Sequence, residues 1–557
     1  MKFSRRVNYA LLGFLIMANI AFRYPTTNHE TGIDTFHLHT IANSISHYGY
    51  ATWIVHPFSF FGLTPETVPT AYPYILSGLS QLSGLNMEYT ILLFSMFLGL
   101  VGAFNCYLMA KEIKNDDLFI FIVVFAFSLS PVFLGYTIWN VTGRNLFLAL
   151  FPLFIWSVFR NLHRSKIEYK YIGISIILFI ILLSIHRMTM LIPLFILAFF
   201  ISIFLYKKLT KISAPKITRV IGPTIWILVF GFFIIAQLFE WGFYSDLRIT
   251  AYWEGYLFKG GEITDRILNM GVDYGSKYGP LFLFGILGAV IMLFFTKKYY
   301  IGSSSKIKIN RSFNSIFFPL VLLFYAPLLL LGVYTSLVIL PFICLIIGFG
   351  VIFFVARVKN ASKLKSRRTL NKIIAITLIF FLIFSILFAI FMLNLWRRPI
   401  EPAKDTKWMS EETYDTGMYL NEFSNGSNYL FNNNIIKGRI IAITKEDLYL
   451  RLNLSRVTIE RGSVLDLYYS DTLYIITSEE YGKSENIHSM TFEKDLQRIT
   501  IYLTQNNIKF SVEKSTVSEG QYVVGGQGLR ISNFFLSTYQ ERYKIYDNGG
   551  MSIWNLD

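Results

Sequence analysis

The sequence predicts an α-helical polytopic membrane protein that carries a C-terminal external α/β domain, and three observations predict it. Hydrophobic residues make up 54% of the 557 residues, aromatics 17% and charged residues only 15%. Soluble domains run near ~25% charged, so an apolar excess of this size is solvated by lipid rather than packed into one core. Long apolar runs alternate with connectors of two opposite kinds, and after Trp396 the composition turns abruptly polar. The formal net charge of +16 would suit a nucleic-acid partner, but Lys and Arg gather at the ends of apolar runs, as the positive-inside rule expects. The expected partner is therefore the lipid bilayer and not nucleic acid. Cys106 and Cys344 both sit inside apolar runs, far apart, and support neither a disulfide framework nor a metal knuckle.

The N-terminus, MKFSRRVNYALLGFLIMANIAF, has the basic start and apolar run of a signal peptide. It shows no small-x-small cleavage pattern before the aromatic-rich FRYP, so it reads as a retained first helix with Lys2, Arg5 and Arg6 on the cytoplasmic side. The later basic connectors include Lys111 and Lys114, Arg160 to Lys170, Lys207 to Arg219, Lys297 to Arg311, and Arg357 to Lys372. The others are poor in Lys and Arg and rich in aromatics and acids: Arg23 to Glu88, Tyr136 to Gly143, and Glu240 to Tyr278. The first kind is expected inside and the second outside. Parity then divides two long runs. Tyr171 to Tyr206 and Ser312 to Val355 are each too long for one pass at ~1.5 Å per residue across a ~30 Å core, and each is flanked by basic connectors at both ends. Each is expected to cross twice, turning at Ile185-His186-Arg187 and near Gly332 to Ser336. The count comes to about eleven spans, the last from Ile373 to Trp396, and puts the C-terminus outside the cell membrane.

Two domains follow. Residues 1–396 form the transmembrane part, with a large first external loop over 23–88 and a second external loop over 240–278. Residues 397–557 form an external α/β domain, with strand-like runs in YLFNN, GRIIAITK, SVLDLYYS and DTLYIITS, an amphipathic helix over Glu493 to Asn506, and a closing hairpin in KIYDNGGMSIW.

The first loop concentrates chemistry. Five of the chain's eight histidines lie in it, His29, His37, His39, His47 and His56, together with Glu30 and Asp34. A carboxylate just beyond the membrane surface meets an aqueous acceptor on one side and a lipid-borne donor on the other. It can serve as general base, or hold a divalent ion such as magnesium or manganese. Asp34 also precedes an apolar-periodic run, Phe36, Leu38, Ile41 and Ile45, so it equally suits a helix N-cap. Both readings stay open. His37 and His39 would face different ways on a helix, whereas Asp34 and His37 would share a face; Asp34, His37 and Glu30 are the candidate metal ligands. The second half of the loop, rich in Pro, Gly and aromatics and including Tyr72, suits the headgroup layer and could guide a lipid tail.

External cations run against the positive-inside bias and so suggest an anion, most simply a lipid phosphate. Arg144 opens a helix in GYTIWNVTGRNLFLALFPL, and His186-Arg187 form the tight turn between two spans. Arg144, Arg187, His186, His37 and Tyr72 are the candidate substrate and phosphate contacts. For Arg248, Lys259, Arg266 and Lys277 a salt bridge to a nearby carboxylate is the simpler expectation. Asn140-Val141-Thr142, Asn425-Gly426-Ser427 and Asn453-Leu454-Ser455 are N-glycosylation sequons on external segments.

An acidic residue in GIDTFHLHTIANSISHYG leading to TAYPYILSGLSQLSG, the external Arg144 turn and a C-terminal external domain together resemble the GT-C superfamily of membrane glycosyltransferases. The phrases YLFNNNIIKGRIIAIT and YKIYDNGGMSIW also resemble uncharacterised archaeal membrane proteins of this type. The resemblance implies a polyprenyl-phosphate (dolichyl-phosphate) sugar donor and a glycan, lipid or protein acceptor. It implies Asp34 as catalytic base or metal-associated carboxylate, Arg144 or Arg187 on the donor phosphate, and inversion at the sugar. Thr35 follows Asp34 where protein O-mannosyltransferases pair Asp with Glu. The WWDYG signature of oligosaccharyltransferases is missing, although Asp273-Tyr274-Gly275 echoes its end. A monosaccharide transferase is the expectation. A transporter or flippase, or a non-catalytic surface-assembly protein, is the alternative; a transporter would show broken helices or charges at mid-membrane.

Overall fold

The computed structural model describes residues 2–49, 71–162, 169–210, 263–294, 308–329, 333–360, 367–397, 409, 411–423, 428–431, 439, 442–443, 472–478, 524–525, 528–529, 544–547 and 551–555. The described part is mostly helical. Helix α1 (Arg5–Arg23) starts at Ser4, whose hydroxyl accepts from the Val7 amide. The first loop then contributes α2 (Ile33–Tyr48) and α3 (Tyr72–Ser83). Helices α4 (Met87–Ile113), α5 (Asp117–Ser128), α6 (Pro131–Gly135), α7 (Gly143–Leu162), α8 (Tyr169–Ile185) and α9 (Ile192–Thr210) follow. After these come α10 (Ile263–Tyr278), α11 (Phe282–Phe294), α12 (Lys308–Leu329), α13 (Val333–Val338), α14 (Leu340–Asn360), α15 (Arg367–Arg397) and α16 (Glu411–Phe423).

Both long runs divide where parity requires. The first breaks at His186, with a 3₁₀ turn over Arg187–Leu191 between α8 and α9, and the second breaks between α12 and α14 around α13. The last apolar run is one helix, α15, roughly 46 Å long at the α-helical rise. Its Ile376, Phe380, Ile383, Leu387 and Phe391 are exposed, a surface suited to lipid. The expected count of eleven spans extends over residues outside the described part. Among the described residues three helices are long and apolar enough to cross a membrane, or four if a pair bent by 114°, Gly271–Tyr278 with Phe282–Met292, counts as one. Several apolar runs form shorter helices: α5 stops after 12 residues, and Ser130 then caps the short α6 through the Phe133 amide. Of the expected second external loop, the described part, 263–278, is helical.

The two ends of the bundle are chemically distinct. At one end Lys2 pairs with Asp117 at 3.0 Å and Arg160 with Glu112 at 2.7 Å. At the other end Arg23, fully buried, aims Nε at Thr137 (2.9 Å), Nη1 at Asn19 Oδ1 (2.8 Å) and Nη2 at the Ser128 carbonyl (3.1 Å). Those acceptors are neutral, so the guanidinium is solvated by the protein rather than paired. Between the ends, Phe154, Phe159, Phe195, Phe199 and Phe317 form an aromatic core joining α7, α9 and α12. Glycine permits a close helix contact: a Cβ at Gly350 of α14 would overlap the Phe284 carbonyl of α11.

In the C-terminal region the strands Asn428–Phe431 (β1), Thr472–Ser478 (β2), Lys544–Asp547 (β5) and Met551–Asn555 (β6) form one sheet in the order β1-β2-β6-β5. Its β1–β2 pairing is parallel and the closing β5–β6 pair is antiparallel; Val524–Gly525 (β3) and Gly528–Leu529 (β4) form a separate ribbon. The run GRIIAITK, expected as strand, is helical at Arg439, Ala442 and Ile443, where it packs on α2 and α16. The expected helix over 493–506 and the run SVLDLYYS lie outside the described residues.

Gly350→Ala should lower the thermal midpoint in detergent, because overpacking costs about 1–3 kcal/mol. Gly173→Ala in α8, where nothing lies within 4 Å of the added methyl, should leave the midpoint unchanged or raise it.

Candidate active site

The bundle end that holds Arg23 also gathers the first loop and the turn after α6. Helix α2 begins at Gly32, whose φ of 97° is costly for any residue with a Cβ. Gly32 is also the N-cap and makes no side-chain cap bond, so the expectation that Asp34 caps this helix is corrected. Asp34 lies in the first turn instead, with its side chain 51% exposed. The start of the helix is set by the neighbouring threonines. Thr31 N–H donates to the Trp139 carbonyl at 2.9 Å. Thr35 Oγ accepts the Val141 amide at 3.0 Å and lies within donating distance of the Thr31 carbonyl (2.6 Å) and Asn140 Oδ1 (3.0 Å).

That junction brings two of the sequence candidates together. Arg144, in the first turn of α7, reaches Asp34 Oδ2 at 3.5 Å with its side chain 27% exposed. The Arg144 guanidinium stands 5.6 Å from the Tyr136 ring centre and 5.5 Å from that of Tyr334, on α13. The guanidinium also donates hydrogen bonds to the Tyr136 and Tyr334 side chains, so both aromatic neighbours hold it. Arg144 Nε is buried and has no hydrogen-bond partner among the described residues. A buried donor without an acceptor is unfavourable, and an oxyanion would satisfy it.

His186 lies beside this pair. It caps the 3₁₀ turn, its Nδ1 accepting the Met188 amide at 3.0 Å, and its ring meets Tyr334 at 5.4 Å. Because Nδ1 is the acceptor, a neutral His186 carries its proton on Nε2. Gly143 lets α7 approach this turn: a Cβ there would lie 2.7 Å from the Ile185 carbonyl. Arg187 starts the 3₁₀ turn and His37 lies on α2, but their side chains are outside the described part. Tyr72 is fully buried, its hydroxyl donated to Asn145 Oδ1 at 2.8 Å. It supports the site from below.

The carboxylate–histidine candidates separate into two sets. Glu30 Oε1 pairs with His39 Nδ1 at 2.7 Å, both side chains buried, and Glu30 Oε2 has no partner among the described residues. Asp34 is balanced by Arg144. Among the described residues no three His, Cys, Asp or Glu side chains converge as metal ligands; the His37 side chain, the third candidate ligand, lies outside the described part, and no step below runs through a metal. Lys277 meets Asp273 at 2.7 Å, the expected salt bridge with a different partner from the acids nearby in the loop. The Asn140 sequon is not an accessible acceptor: Val141 and Thr142 are buried and the Asn140 side chain is packed against Gly32 and Thr35. The other two sequons lie outside the described residues.

Sequence reasoning missed how the C-terminal region docks on the first loop. His29 Nδ1 meets Glu88 at 3.0 Å and its Nε2 meets Glu411 of α16 at 3.3 Å, while its ring stacks on Tyr414 at 4.1 Å. Asn28 also donates to Glu411. Phe36 of α2 packs with Met409 and Ala442 under the Arg439 guanidinium, and Asn43 donates to the Ala442 carbonyl at 3.1 Å. No sequence periodicity links residues almost 400 positions apart.

The chain shares its fold with solved structures of an archaeal oligosaccharyltransferase and of ArnT. The apo oligosaccharyltransferase of Archaeoglobus fulgidus matches it with a TM-score of 0.58 at 11% identity, over 85% of this chain and 70% of that one. The archaeal oligosaccharyltransferase AglB of the same organism, in complex with an inhibitory peptide and a dolichol-phosphate, matches with a TM-score of 0.53 at 12% identity, over 79% and 64%. ArnT from Cupriavidus metallidurans in the apo state matches with a TM-score of 0.51 at 9% identity, over 99% and 98%. In its peptide complexes the archaeal enzyme is spanned for only 64% of its length. No protein-family model matches the sequence, and no curated protein does.

Docking of α16 should depend on pH. Burial opposes protonation of His29, but the hydrogen bond and charge of Glu88, then those of Glu411, outweigh it and raise its pKa above the ordinary 6.5. Hydrogen bonds from Asn28 and then His29 hold Glu411 below 4.5. A raised histidine pKa gives a contribution complete below pH 6.5 and lost as pH rises through the folded value; a lowered carboxylate pKa gives one present above pH 4.5 and lost on acidification. Protection of the C-terminal region from limited proteolysis should peak between the two, and His29→Gln should remove the alkaline limb.

Proposed function

We propose that this protein is a membrane glycosyltransferase that moves a sugar from a polyprenyl-phosphate donor to an acceptor hydroxyl at the external membrane surface. The observation that carries this reading is the Asp34–Arg144 pair, 3.5 Å apart at one end of a GT-C-type bundle, with Arg144 Nε still lacking an acceptor. A base and a cation in contact are the two charges that such a transfer needs. The dolichol-phosphate named with AglB supports the donor class. The polar end of the bundle, with eleven spans and the C-terminal α/β domain on the same external side, is the topology this reading uses.

In the free site the two charges neutralise each other. The donor phosphate takes the edge of Arg144 that now faces Asp34, with His186 beside it and the polyprenyl tail running into the lipid along the first-loop helices. Asp34 is then free to accept the proton of the acceptor hydroxyl as its oxygen attacks the anomeric carbon. The bond between that carbon and the phosphate oxygen breaks, and polyprenyl phosphate leaves with its charge stabilised by Arg144. A single displacement of this kind inverts the anomeric centre. The acceptor, on a glycan, lipid or protein, enters from the side of α2 covered by the C-terminal region.

One observation favours a second reading: the α10–α11 pair, bent by 114°, is the broken helix that a lipid flippase or transporter would use.

Transfer of radiolabelled sugar from polyprenyl-phosphate donors by purified protein in lipid, with and without divalent metal, tests the proposal. Asp34→Asn should reduce kcat by at least ~10²-fold, in the range expected for loss of a general base, at an unchanged thermal midpoint. Arg144→Ala should raise the donor KM and lower kcat together. Transfer at the wild-type rate by Asp34→Asn would remove the base from the mechanism. Lipid movement without sugar transfer would select the second reading.

A further inference from the structure

We propose that Asn145, held by Tyr72, is a positioning residue that sets the spacing between Asp34 and Arg144; this rests on reading those two as base and phosphate-binding cation. Asn145 is fully buried and adjoins Arg144 in the first turn of α7. Its Nδ2 donates to the Tyr136 carbonyl at 3.0 Å and to the Asn140 carbonyl at 2.8 Å. Carbonyls only accept, so the amide faces them with its two N–H groups, and Oδ1 must face the other way. There it meets the Tyr72 hydroxyl at 2.8 Å, and Tyr72 is therefore the donor. Every hydrogen of the amide is used and its orientation is determined.

Each of these bonds leads to one half of the site. The Tyr136 carbonyl belongs to the residue whose ring lies over Arg144. The Asn140 carbonyl belongs to the residue whose side chain meets Thr35, the neighbour of Asp34, and packs on Gly32, where α2 begins. The segment between them includes Trp139, held at a φ of 43° and anchored by its indole N–H to the Glu88 carbonyl at 3.1 Å. One buried amide thus ties the support of the cation to the support of the base. Tyr72 has no exposed surface from which to touch a substrate. Its effect on transfer runs through Asn145.

A group that only stabilises the fold lowers the thermal midpoint and leaves the turnover of folded protein unchanged; a positioning group lowers kcat. The test compares full-length wild type, Tyr72→Phe, Asn145→Ala and the double variant in lipid nanodiscs. It reads kcat and donor KM separately with a radiolabelled polyprenyl-phosphate sugar, and follows thermal unfolding. Tyr72→Phe keeps the ring and removes one donor. It should retain a folded protein with a donor KM within about threefold of wild type and a kcat about tenfold lower, since sub-ångström misplacement of reacting groups is felt in the transition state. The double variant should match Asn145→Ala alone, as expected when one residue acts through the other. A wild-type kcat in Tyr72→Phe, or losses that multiply in the double variant, would overturn the proposal. If Asn145→Ala does not fold, the kcat of Tyr72→Phe decides alone. Transfer lost in Asp34→Asn but intact in Tyr72→Phe removes this inference only, whereas no transfer by wild type from any such donor removes it together with the function on which it rests.

Discussion

The hydroxyl of Thr35 joins two segments about a hundred residues apart in sequence, and the candidate site depends on that junction. By accepting the Val141 amide and facing Thr31 and Asn140, it fixes the start of α2 against the turn that leads into α7. Asp34 precedes Thr35, and Arg144 follows the turn by three residues. Their 3.5 Å approach is a consequence of the backbone pairing beneath them rather than of their own attraction. A half-exposed ion pair alone contributes little to stability, so the supporting hydrogen bonds carry the geometry.

Around this junction the side chains divide by burial. Asn145, Tyr72 and Thr35 have essentially no exposure, whereas Asp34 and Arg144 reach solvent. The buried groups have their hydrogen bonds made, as low-dielectric surroundings demand. Among the described residues Arg144 Nε, Glu30 Oε2 and Thr142 Oγ1 depart from that pattern here, and the first belongs to the proposed phosphate contact. Tyr136 and Tyr334 flank the Arg144 guanidinium, and both hydroxyls accept hydrogen bonds from it, so the cation is held in place from two sides.

The first loop also receives the C-terminal region, through the His29 contacts with Glu88 and Glu411 and through Phe36 beneath Arg439. Helix α2 therefore carries Asp34 near one surface and the docking residues Phe36 and Asn43 on another. Movement of α16 would be felt by the helix that bears the proposed base.

The sequence by itself determined that the chain is a polytopic membrane protein, where its long apolar runs break, and that histidines and carboxylates concentrate in the first loop. Those conclusions follow from composition and hydrophobic run length, which are local properties that lipid and helical rise read directly. The closing hairpin KIYDNGGMSIW was legible for the same reason, its turn being encoded in the residues that form it. Tertiary structure alone decided that Asp34 lies inside the first turn instead of capping it, that Tyr72 is internal, that the Asn140 sequon is packed away, and that His29 faces Glu411. Each of these depends on a partner roughly 60 to 400 positions distant. Hydrogen bonds and ion pairs at such separations are chosen by how the helices pack, and no local pattern of residues encodes them.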